Sequence, residues 1–331
     1  MIALEVVFWL CAGLIVYTHA GYPLVLRALV ATRRRPTIEP RVAEAPPTVT
    51  LVVAAYDEQD VIEAKIANAL ALDYPRERLE LIVAFSDANC LWVADALRHL
   101  VEPFADPGVG YVCGQVRFTD PDGGNLEGAY WRYEMAVREM ESALAGVTAG
   151  NGGIYAVRRD AYIPLPPSGS HDLSFPFALA KRGLRSLYAP WARAEEKMVP
   201  TLEGEFARKR RMMVGLWDIV VGEGMLSPRG YSPLYAFELF SHRLLRYLSP
   251  LLHLAVLATN VALLGHGWVY TATFAAQLAL LASSVLGRWL PLAPLRLARY
   301  YAMSTASIAA GLWDRARRGA PGAWEKAEGT R

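Results

Sequence analysis

Three apolar stretches surround a more polar middle, and this arrangement constrains the fold more than any other feature of the chain. Residues 2–26 and 268–287 have the length that a helix needs to cross a bilayer core, about 20 residues, and residues 248–264 come close to it. The short uncharged sequence GHG joins the last two stretches, which predicts a transmembrane hairpin. A fourth stretch, 300–313, is shorter and bounded by charged residues, so we expect it to be interfacial or re-entrant.

Basic residues indicate how the chain is oriented. Arginines at 33–35 follow the first apolar stretch, and arginines at 288–299 and 315–318 follow the hairpin. Because basic residues favour the cytoplasmic side, the middle domain and the tail are predicted to be cytoplasmic, in a multi-pass protein of the cell (inner) membrane. A cleaved signal peptide is disfavoured. In a signal peptide the positive charges precede the apolar run and a small-residue cleavage site follows it, whereas here the arginines follow the run and no such site is present.

Composition supports this mixed organisation. The 331 residues are 53% hydrophobic and 20% charged, which is too apolar for an ordinary soluble domain and too charged for a wholly embedded one. A net charge of +2 gives no reason to expect nucleic-acid binding. Cys11, Cys90 and Cys113 do not have the spacing of a zinc site or a disulfide framework.

These patterns predict five parts of the chain. They are an anchor at 1–32, a linker at 33–48, a soluble domain at 49–240, an interfacial segment with the hairpin at 241–290, and an interfacial or re-entrant segment with a basic tail at 291–331.

The soluble domain alternates between strand and helix patterns. Strands are predicted at 49–56, 80–86 and 109–118, and a helix is predicted at 93–104. Another helix should follow the first strand, with an apolar stripe that includes Ile66 and Leu70. This alternation predicts an α/β fold with a mostly parallel sheet, in which ligands bind at the carboxyl ends of the strands.

A short acidic turn, Ser86-Asp87-Ala88-Asn89, ends the second predicted strand. Carboxylate and amide oxygens are the ligands that Mg²⁺ or Mn²⁺ prefers, so Asp87 and Asn89 are candidate metal ligands. The glycine loop at 150–153 is by itself weak evidence for phosphate binding, because no complete phosphate-binding motif is present.

An ordered set of segments resembles the membrane-bound family 2 glycosyltransferases, the group of cellulose-, chitin- and hyaluronan-synthase-like enzymes. The segments are VTLVVAAYDEQDVIEAKIANALALDYPRERLELIVA, FSDANCLWVADALRHLVEPFADPGVGYVCGQV, EGAYWRYE, GNGGIYAVRRDAY, HDLSFPFALAKRGLRSLYAP, LEGEFARKRRMMVGLWDIV, FSHRLLRYLSP and WEKA. The resemblance implies an A-type glycosyltransferase (GT-A, Rossmann-like) domain that binds a nucleotide-sugar, usually with Mg²⁺ or Mn²⁺.

The resemblance also implies roles for particular residues. The turn after the first strand would contact the nucleotide through four consecutive residues, Ala55, Tyr56, Asp57 and Glu58. Asp57 stands where the family usually has Asn. Asp87 and Asn89 would hold the metal. Asn151 would belong to the nucleotide-sugar site and face the acceptor, although an ordinary turn asparagine is the simpler interpretation.

Two further elements of the family pattern concern catalysis. Asp172 in SHDLSF would act as the general base, with His171 where the family often has a first acid. Arg208 and Arg211 would contact the diphosphate or glycan, but the Gln and Trp of the family's Gln-x-x-Arg-Trp pattern are missing, which argues against processive polymerisation. Simpler interpretations remain open: Asp57, Glu58 and Asp172 also suit helix N-termini, and the basic run suits a lipid-facing surface.

One family segment is missing. The sequence up to Ala84 matches the family's second strand, whereas the sequence from Phe85 matches a later strand that leads into the metal turn. Asp87 must therefore either contact the base of the nucleotide or bind the metal, and we assign it to the metal. Two functions follow: an inverting membrane glycosyltransferase that moves a sugar, from a UDP-sugar by expectation, to a lipid or glycan acceptor; or an inactive family relic that acts as a membrane-bound interaction protein.

Overall fold

The computed structural model describes most of the chain. The described residues are 1–32, 47–55, 58–75, 82–119, 126–165, 170–197 and 202–319. Most of the predicted linker, the end of the tail, and Tyr56 and Asp57 of the predicted nucleotide turn lie outside them. The chain divides into two compact units, which are described separately below.

The first of these units is built on a six-stranded sheet. Its strands are β1 (Val49–Ala54), β2 (Ile82–Asp87), β3 (Leu91–Trp92), β4 (Val109–Thr119), β5 (Tyr155–Arg158) and β6 (Arg185–Lys197). They lie in the order β1-β2-β5-β4-β6-β3. The predicted strands correspond to β1, β2 and β4, and each begins or ends within two residues of its predicted bounds.

The sheet is mixed, but β1, β2, β4 and β6 all run in the same direction, as the prediction of a mostly parallel sheet expects. β1 and β2 are parallel, and so are β4 and β6, but β5 is antiparallel to both of its neighbours and β3 is antiparallel to β6. Tyr155, the first residue of β5, pairs with Cys113 in the middle of β4, and β5 runs from there in the opposite direction to β4.

Strand β2 is continuous through the position of the missing segment. Ala84 and Phe85 are consecutive residues of β2, and each has a partner in β1 and another in β5. The two family strands are therefore one strand here. Within the described residues β1 pairs only with β2, which leaves β1 at one end of the sheet order.

The helices of this unit include α3 (Ile62–Leu70), α4 (Ala96–Val101), α5 (Leu126–Leu144) and α6 (His171–Lys181). Leu97 and Leu100 of α4 belong to a core with Val112 and Ile154 of the sheet region. Phe175 of α6 belongs to a second core, which contains Tyr111, Tyr155 and Val157.

The predicted apolar stripe of α3 is wrong at Ile66 and Leu70. Ile66 and Leu70 are 55% and 62% exposed, whereas Lys65 is buried. The buried face of the helix therefore contains a lysine. The apolar pattern misled the prediction because exposure depends on which neighbouring elements cover the helix, and that information is not local.

The second unit is mainly helical. Its helices include α1 (Ile2–Val16), α9 (Leu245–Ala262), α10 (Trp268–Leu286) and α11 (Ala293–Arg318). Helix α1 continues through a π-helical turn at Tyr17–Gly21 into α2 (Tyr22–Thr32), which crosses the boundary between the units after Val25. Helices α7 (Leu202–Trp217) and α8 (Pro233–Glu238) each run close to or across a boundary between the units.

Three helical segments are long and apolar enough to cross a membrane: Ile2–Thr32, Pro233–Ala262 and Trp268–Leu286. They match the predicted anchor and hairpin. Between α9 and α10, the Asn260 carboxamide donates to the Tyr270 carbonyl at 2.8 Å and accepts from the Thr273 hydroxyl at 3.1 Å. These bonds satisfy polar groups that would otherwise face an apolar environment.

Helix α11 contains the fourth apolar stretch and is not among the candidate spans of the described residues. Charged contacts tie it to α7. The Arg210 guanidinium donates twice to the Asp314 carboxylate, at 2.5 and 2.8 Å, and Lys209 donates to the Tyr300 hydroxyl at 2.8 Å.

Candidate active site

Asp87 is the last residue of β2 and lies opposite Ala54, the last residue of β1. The turn that follows β1 therefore begins beside this carboxylate. Burial raises the pKa of Asp87 from its ordinary value of 3.8 to about 6, and the nearby carboxylates of Asp172 and Glu58 add to the increase. Lys65 acts in the opposite direction. The end of β2 is thus a place where negative charge is concentrated and poorly solvated.

The glycine loop lies against the turn that carries Asp87. A Cβ added to Gly152 would lie 3.9 Å from Oδ2 of Asp87, and one added to Gly153 would lie 2.8 Å from the Cys90 sulfur. The Trp92 indole also donates to the Gly153 carbonyl at 3.0 Å. Glycine is required at 153 because the loop and the turn approach too closely for a side chain.

Asp172 joins the same group of segments. It lies in the first turn of α6, and its carbonyl accepts a hydrogen bond from the Gly150 amide at 2.6 Å. Ser170, not Asp172, is the N-cap residue of α6, and the Ser170 hydroxyl donates to the Asp172 carboxylate. The end of β2, the glycine loop and the start of α6 are therefore held together by direct contacts.

Lys65 supports this site from α3. Its ammonium group is buried, donates to the Cys90 carbonyl at 2.6 Å and lies 5.2 Å from the centre of the Trp92 ring. Burial lowers the pKa of Lys65 to about 8. One turn along, the Asn68 carboxamide donates to the Trp92 carbonyl at 2.7 Å and accepts from the Trp92 amide at 3.0 Å. Helix α3 thus fixes the segment directly after the acidic turn.

The sequence missed both α3 residues. Lysine and asparagine inside an amphipathic pattern resemble an ordinary exposed face, and only the position of the helix shows that they face the turn. The one available signal was that they lie one helical turn apart, where two side chains share a face.

An aromatic group covers one side of the site. Phe85 stacks on Tyr155 with ring centres 4.8 Å apart, and the Tyr155 hydroxyl forms a 2.6 Å hydrogen bond with Nδ1 of His171. Burial lowers the pKa of His171. This histidine therefore belongs to a partly buried aromatic wall rather than supplying a second acid beside Asp172.

Asn151 lies in the glycine loop but is buried. Its side-chain oxygen accepts from Arg138 at 2.6 Å, and its amide donates to the Gly114 carbonyl at 2.5 Å. The polar atoms of Asn151 therefore hold the loop against α5 and β4. This geometry does not favour the predicted contact with a sugar.

The side-chain amide of Asn89 donates to the Glu196 carboxylate at 3.2 Å. Among the described residues, no group of three or more His, Cys, Asp or Glu side chains is arranged to hold a metal. Mg²⁺-type ions, however, are commonly bound by one or two carboxylates together with substrate phosphates. The accumulated negative charge around Asp87 fits such a partial site, in which a divalent cation would relieve the repulsion between neighbouring carboxylates.

Of the remaining predicted residues, Glu58 lies near enough to raise the pKa of Asp87, and Ala55 follows Ala54, which pairs with Asp87. Arg208 and Arg211 lie on α7 in the other unit, where Arg208 donates twice to the Glu205 carboxylate, at 2.8 and 2.9 Å. Tyr56 and Asp57 lie outside the described residues, whereas Ala55 and Glu58, on either side of them, are described.

Chemically, the arrangement combines two functions. The Asp87 carboxylate, at the end of a strand and against a glycine loop, suits the binding of a cation that carries phosphate groups. The Asp172 carboxylate, at the start of a neighbouring helix, suits the acceptance of a proton from a hydroxyl group.

Comparisons with known proteins agree with this geometry. The family described as "Glycosyl transferase family group 2" matches residues 82–300. Among solved structures, the chain is similar to the mannosyltransferase PcManGT from Pyrobaculum calidifontis in complex with GDP-Man and Mn²⁺, with 21% identity and a TM-score of 0.68. The similarity covers 95% of this chain and 99% of that one, and it shows the GT-A fold. No curated protein sequence matches the chain.

Proposed function

Because the chain belongs to glycosyl transferase family group 2, we propose that it is a membrane-bound, inverting glycosyltransferase. It moves a sugar from a nucleotide-sugar donor to a lipid or polysaccharide acceptor at the cytoplasmic face of the cell membrane, as a step in building the cell envelope. The cellulose-, chitin- and hyaluronan-synthase-like group is the proposed subfamily.

The observation that carries this proposal is the meeting of Asp87, Asp172 and the glycine loop at the end of β2. The Gly150 amide bonds to Asp172, and Gly152 adjoins the Asp87 carboxylate. Asp87, assisted by Asn89, would hold Mg²⁺ or Mn²⁺, which when bound neutralises the diphosphate leaving group. Asp172 would take the proton of the acceptor hydroxyl as that hydroxyl attacks the anomeric carbon, so a single displacement inverts the configuration there.

Further residues would contribute to donor binding. Ala55 and Glu58, with Tyr56 and Asp57 between them, would contact the nucleotide from the turn after β1. Asn151 would act indirectly, by holding the glycine loop through its buried bond to Arg138. Arg208 and Arg211 would contact the diphosphate or the glycan.

Two donor classes are the first to test. The family resemblance favours a UDP-sugar, and the structural neighbour PcManGT is described in complex with GDP-Man and Mn²⁺. Both UDP- and GDP-sugars therefore belong in a donor panel, with Mn²⁺ and Mg²⁺ supplied separately.

Calorimetric titration of UDP and GDP into the full chain tests the metal role. We expect tight binding only with Mn²⁺ or Mg²⁺, because two phosphates beside Asp87 repel it unless a cation lies between them. Asp87→Ala should remove the metal dependence, and Asp60→Ala, which changes an exposed carboxylate before α3, should not. Equal affinity in EDTA would eliminate the metal role of Asp87.

Membrane topology is the second component of the proposal. Three candidate spans, interpreted as an anchor and a hairpin, support a soluble domain and a tail on the same side of the membrane. The proposed divisions are 1–32, 33–48, 49–240, 241–290 and 291–331. Reporter fusions at Thr48 and after Arg331 should both report the cytoplasm; a tail reporter that is active only outside would mean that residues 291–313 cross the membrane.

One observation favours the alternative of an impaired enzyme that serves as a membrane-bound interaction protein. Among the described strands, β1 lies at the end of the sheet order and its Val52 is exposed, as are Ile66 and Leu70 of α3. The missing segment would form one wall of the pocket for the nucleotide base, so its loss predicts weak discrimination among UDP, GDP and ADP. Brisk, base-selective sugar release that Asp172→Asn abolishes would refute this alternative.

Restoring the missing family segment is another conceivable test, and the fold predicts its result. A family-typical segment inserted between Ala84 and Phe85 would interrupt β2 in the middle of both of its ladders. We therefore expect such a graft to unfold the sheet rather than to restore turnover.

A further inference from the structure

A cavity of about 220 Å³ lies outside the candidate active site, between the segment after β3, helix α4 and strands β4 and β6. Its walls contain one indole, two guanidinium groups, two carboxylates and one imidazole: Trp191, Arg117, Arg193, Asp95, Glu195 and His99. Sites for drug-sized ligands usually measure about 300–1,000 Å³, so this cavity suits a smaller molecule.

The cavity is on the opposite side of β6 from the acidic turn. Glu195 lines the cavity, whereas its neighbour Glu196 bonds to Asn89 of the turn. Successive side chains of a strand point to opposite faces. The cavity is therefore separate from the place where the donor would bind.

An irregularity in β6 brings Trp191 to the cavity. In the ladder with β4, Cys113 pairs with Tyr188 but Gln115 pairs with Arg193, so one residue of β4 faces four residues of β6. Gly114 makes this possible, because a Cβ there would lie 2.3 Å from the Ala192 carbonyl oxygen. Bulges of this kind commonly redirect a side chain at a functional site.

The redirected indole is open to solvent but is held in place. Trp191 is 61% exposed, which is unusual for the largest apolar side chain. The Arg193 guanidinium lies 4.7 Å from the centre of its ring, and the same side chain donates to the Pro190 carbonyl at 3.4 Å. One face of the ring is thus supported by Arg193.

The mixture of charges indicates what kind of ligand fits. Two guanidinium groups and two carboxylates balance, so the cavity has no strong preference for an anion or a cation. Together they offer many hydrogen-bond donors and acceptors around a flat apolar ring. A neutral ring with hydroxyl groups on its edge and C–H groups on its face matches this pattern, since indole combines an apolar face with tolerance of polar surroundings.

We propose that this cavity is a saccharide-binding site that holds one sugar residue, stacked on Trp191 and hydrogen-bonded by Arg117, Asp95 and Glu195. The inference rests on the proposed function only in expecting that sugar to belong to a glycan acceptor. Binding at the cavity requires neither the donor nor a metal.

Saturation-transfer NMR of the full chain in nanodiscs tests the proposal, with D-mannose, D-glucose and N-acetyl-D-glucosamine as probes in EDTA and without nucleotide. We expect at least one sugar to bind. Trp191→Ala should weaken its binding at least tenfold, and Glu195→Gln should weaken it several-fold, because each removes a contact to the ring or its hydroxyls.

Trp313 provides a matched control. It is 57% exposed and has the Arg317 guanidinium 4.3 Å from its ring centre, but it belongs to α11 and does not line this cavity. Trp313→Ala should leave sugar binding unchanged. No binding of any sugar, undiminished binding by Trp191→Ala, or equally potent displacement of the sugar by inorganic phosphate would overturn the proposal. Loss of transfer in Asp172→Asn with sugar binding intact would separate this site from the active site.

Discussion

Replacing Asp87 by Asn tests whether the candidate active site stores unfavourable electrostatic energy. Burial and neighbouring carboxylates raise the pKa of Asp87 from 3.8 to about 6. Each pKa unit corresponds to about 1.4 kcal/mol, so ionised Asp87 lowers the free energy of unfolding by at most about 3 kcal/mol. Because Asp87 is partly exposed and therefore partly screened, we expect roughly 1–3 kcal/mol.

The dependence on pH fixes the sign of this effect. Folded Asp87 keeps its proton at a higher pH than unfolded Asp87, so the unfolding free energy falls as pH rises from about 4 to about 6. Asparagine cannot ionise. In EDTA at pH 7.5, Asp87→Asn should therefore be more stable than the wild type, and this advantage should disappear below about pH 4.

Hydrogen exchange of peptides from β2 and β5, corrected for intrinsic rates, measures the opening free energy of this unit in the full chain. Asp60→Asn controls for the loss of an exposed carboxylate and should change it by less than about 0.5 kcal/mol. Adding Mn²⁺ with UDP or GDP should stabilise the wild type and not Asp87→Asn. An Asp87→Asn variant that is no more stable at pH 7.5, or equally favoured at pH 4, would refute the reasoning.

Other substitutions test the surroundings of the acidic turn. Since burial lowers the pKa of Lys65 to about 8, the unfolding free energy should rise between pH 8 and 10.5; denaturant titrations should show that Lys65→Met loses this rise. Lys181→Met should retain it, although Lys181 also donates to a backbone carbonyl. Gly150→Ala should destabilise the fold by more than about 2 kcal/mol, because its Cβ would lie 1.8 Å from the Tyr111 hydroxyl oxygen. By contrast, Gly152→Ala should fold, as thermal unfolding would show, yet bind nucleoside diphosphate and Mn²⁺ more weakly in calorimetry, because its methyl group would face the Asp87 carboxylate.

Local sequence patterns determined the elements of the fold. The apolar stretches near both ends predicted the candidate spans, and the β-branched runs predicted β1, β2 and β4, because hydrophobic length and periodicity act within a few residues. The family resemblance predicted the GT-A fold, which the comparison with solved structures confirms. Asp87 was identified as a candidate from the local sequence, because an acidic turn after a buried strand is a local feature.

Tertiary structure decided what surrounds Asp87. Local sequence patterns do not show that β5 runs antiparallel to β2 or that Arg138 donates a hydrogen bond to the side-chain oxygen of Asn151. Nor do they show that Lys65, rather than Ile66, is buried. Each of these depends on contacts between residues far apart in the chain, where pairing and burial override local propensity. The same reason explains why no local pattern singles out Trp191: the register change beside it in the β4–β6 ladder depends on residues far apart in the chain.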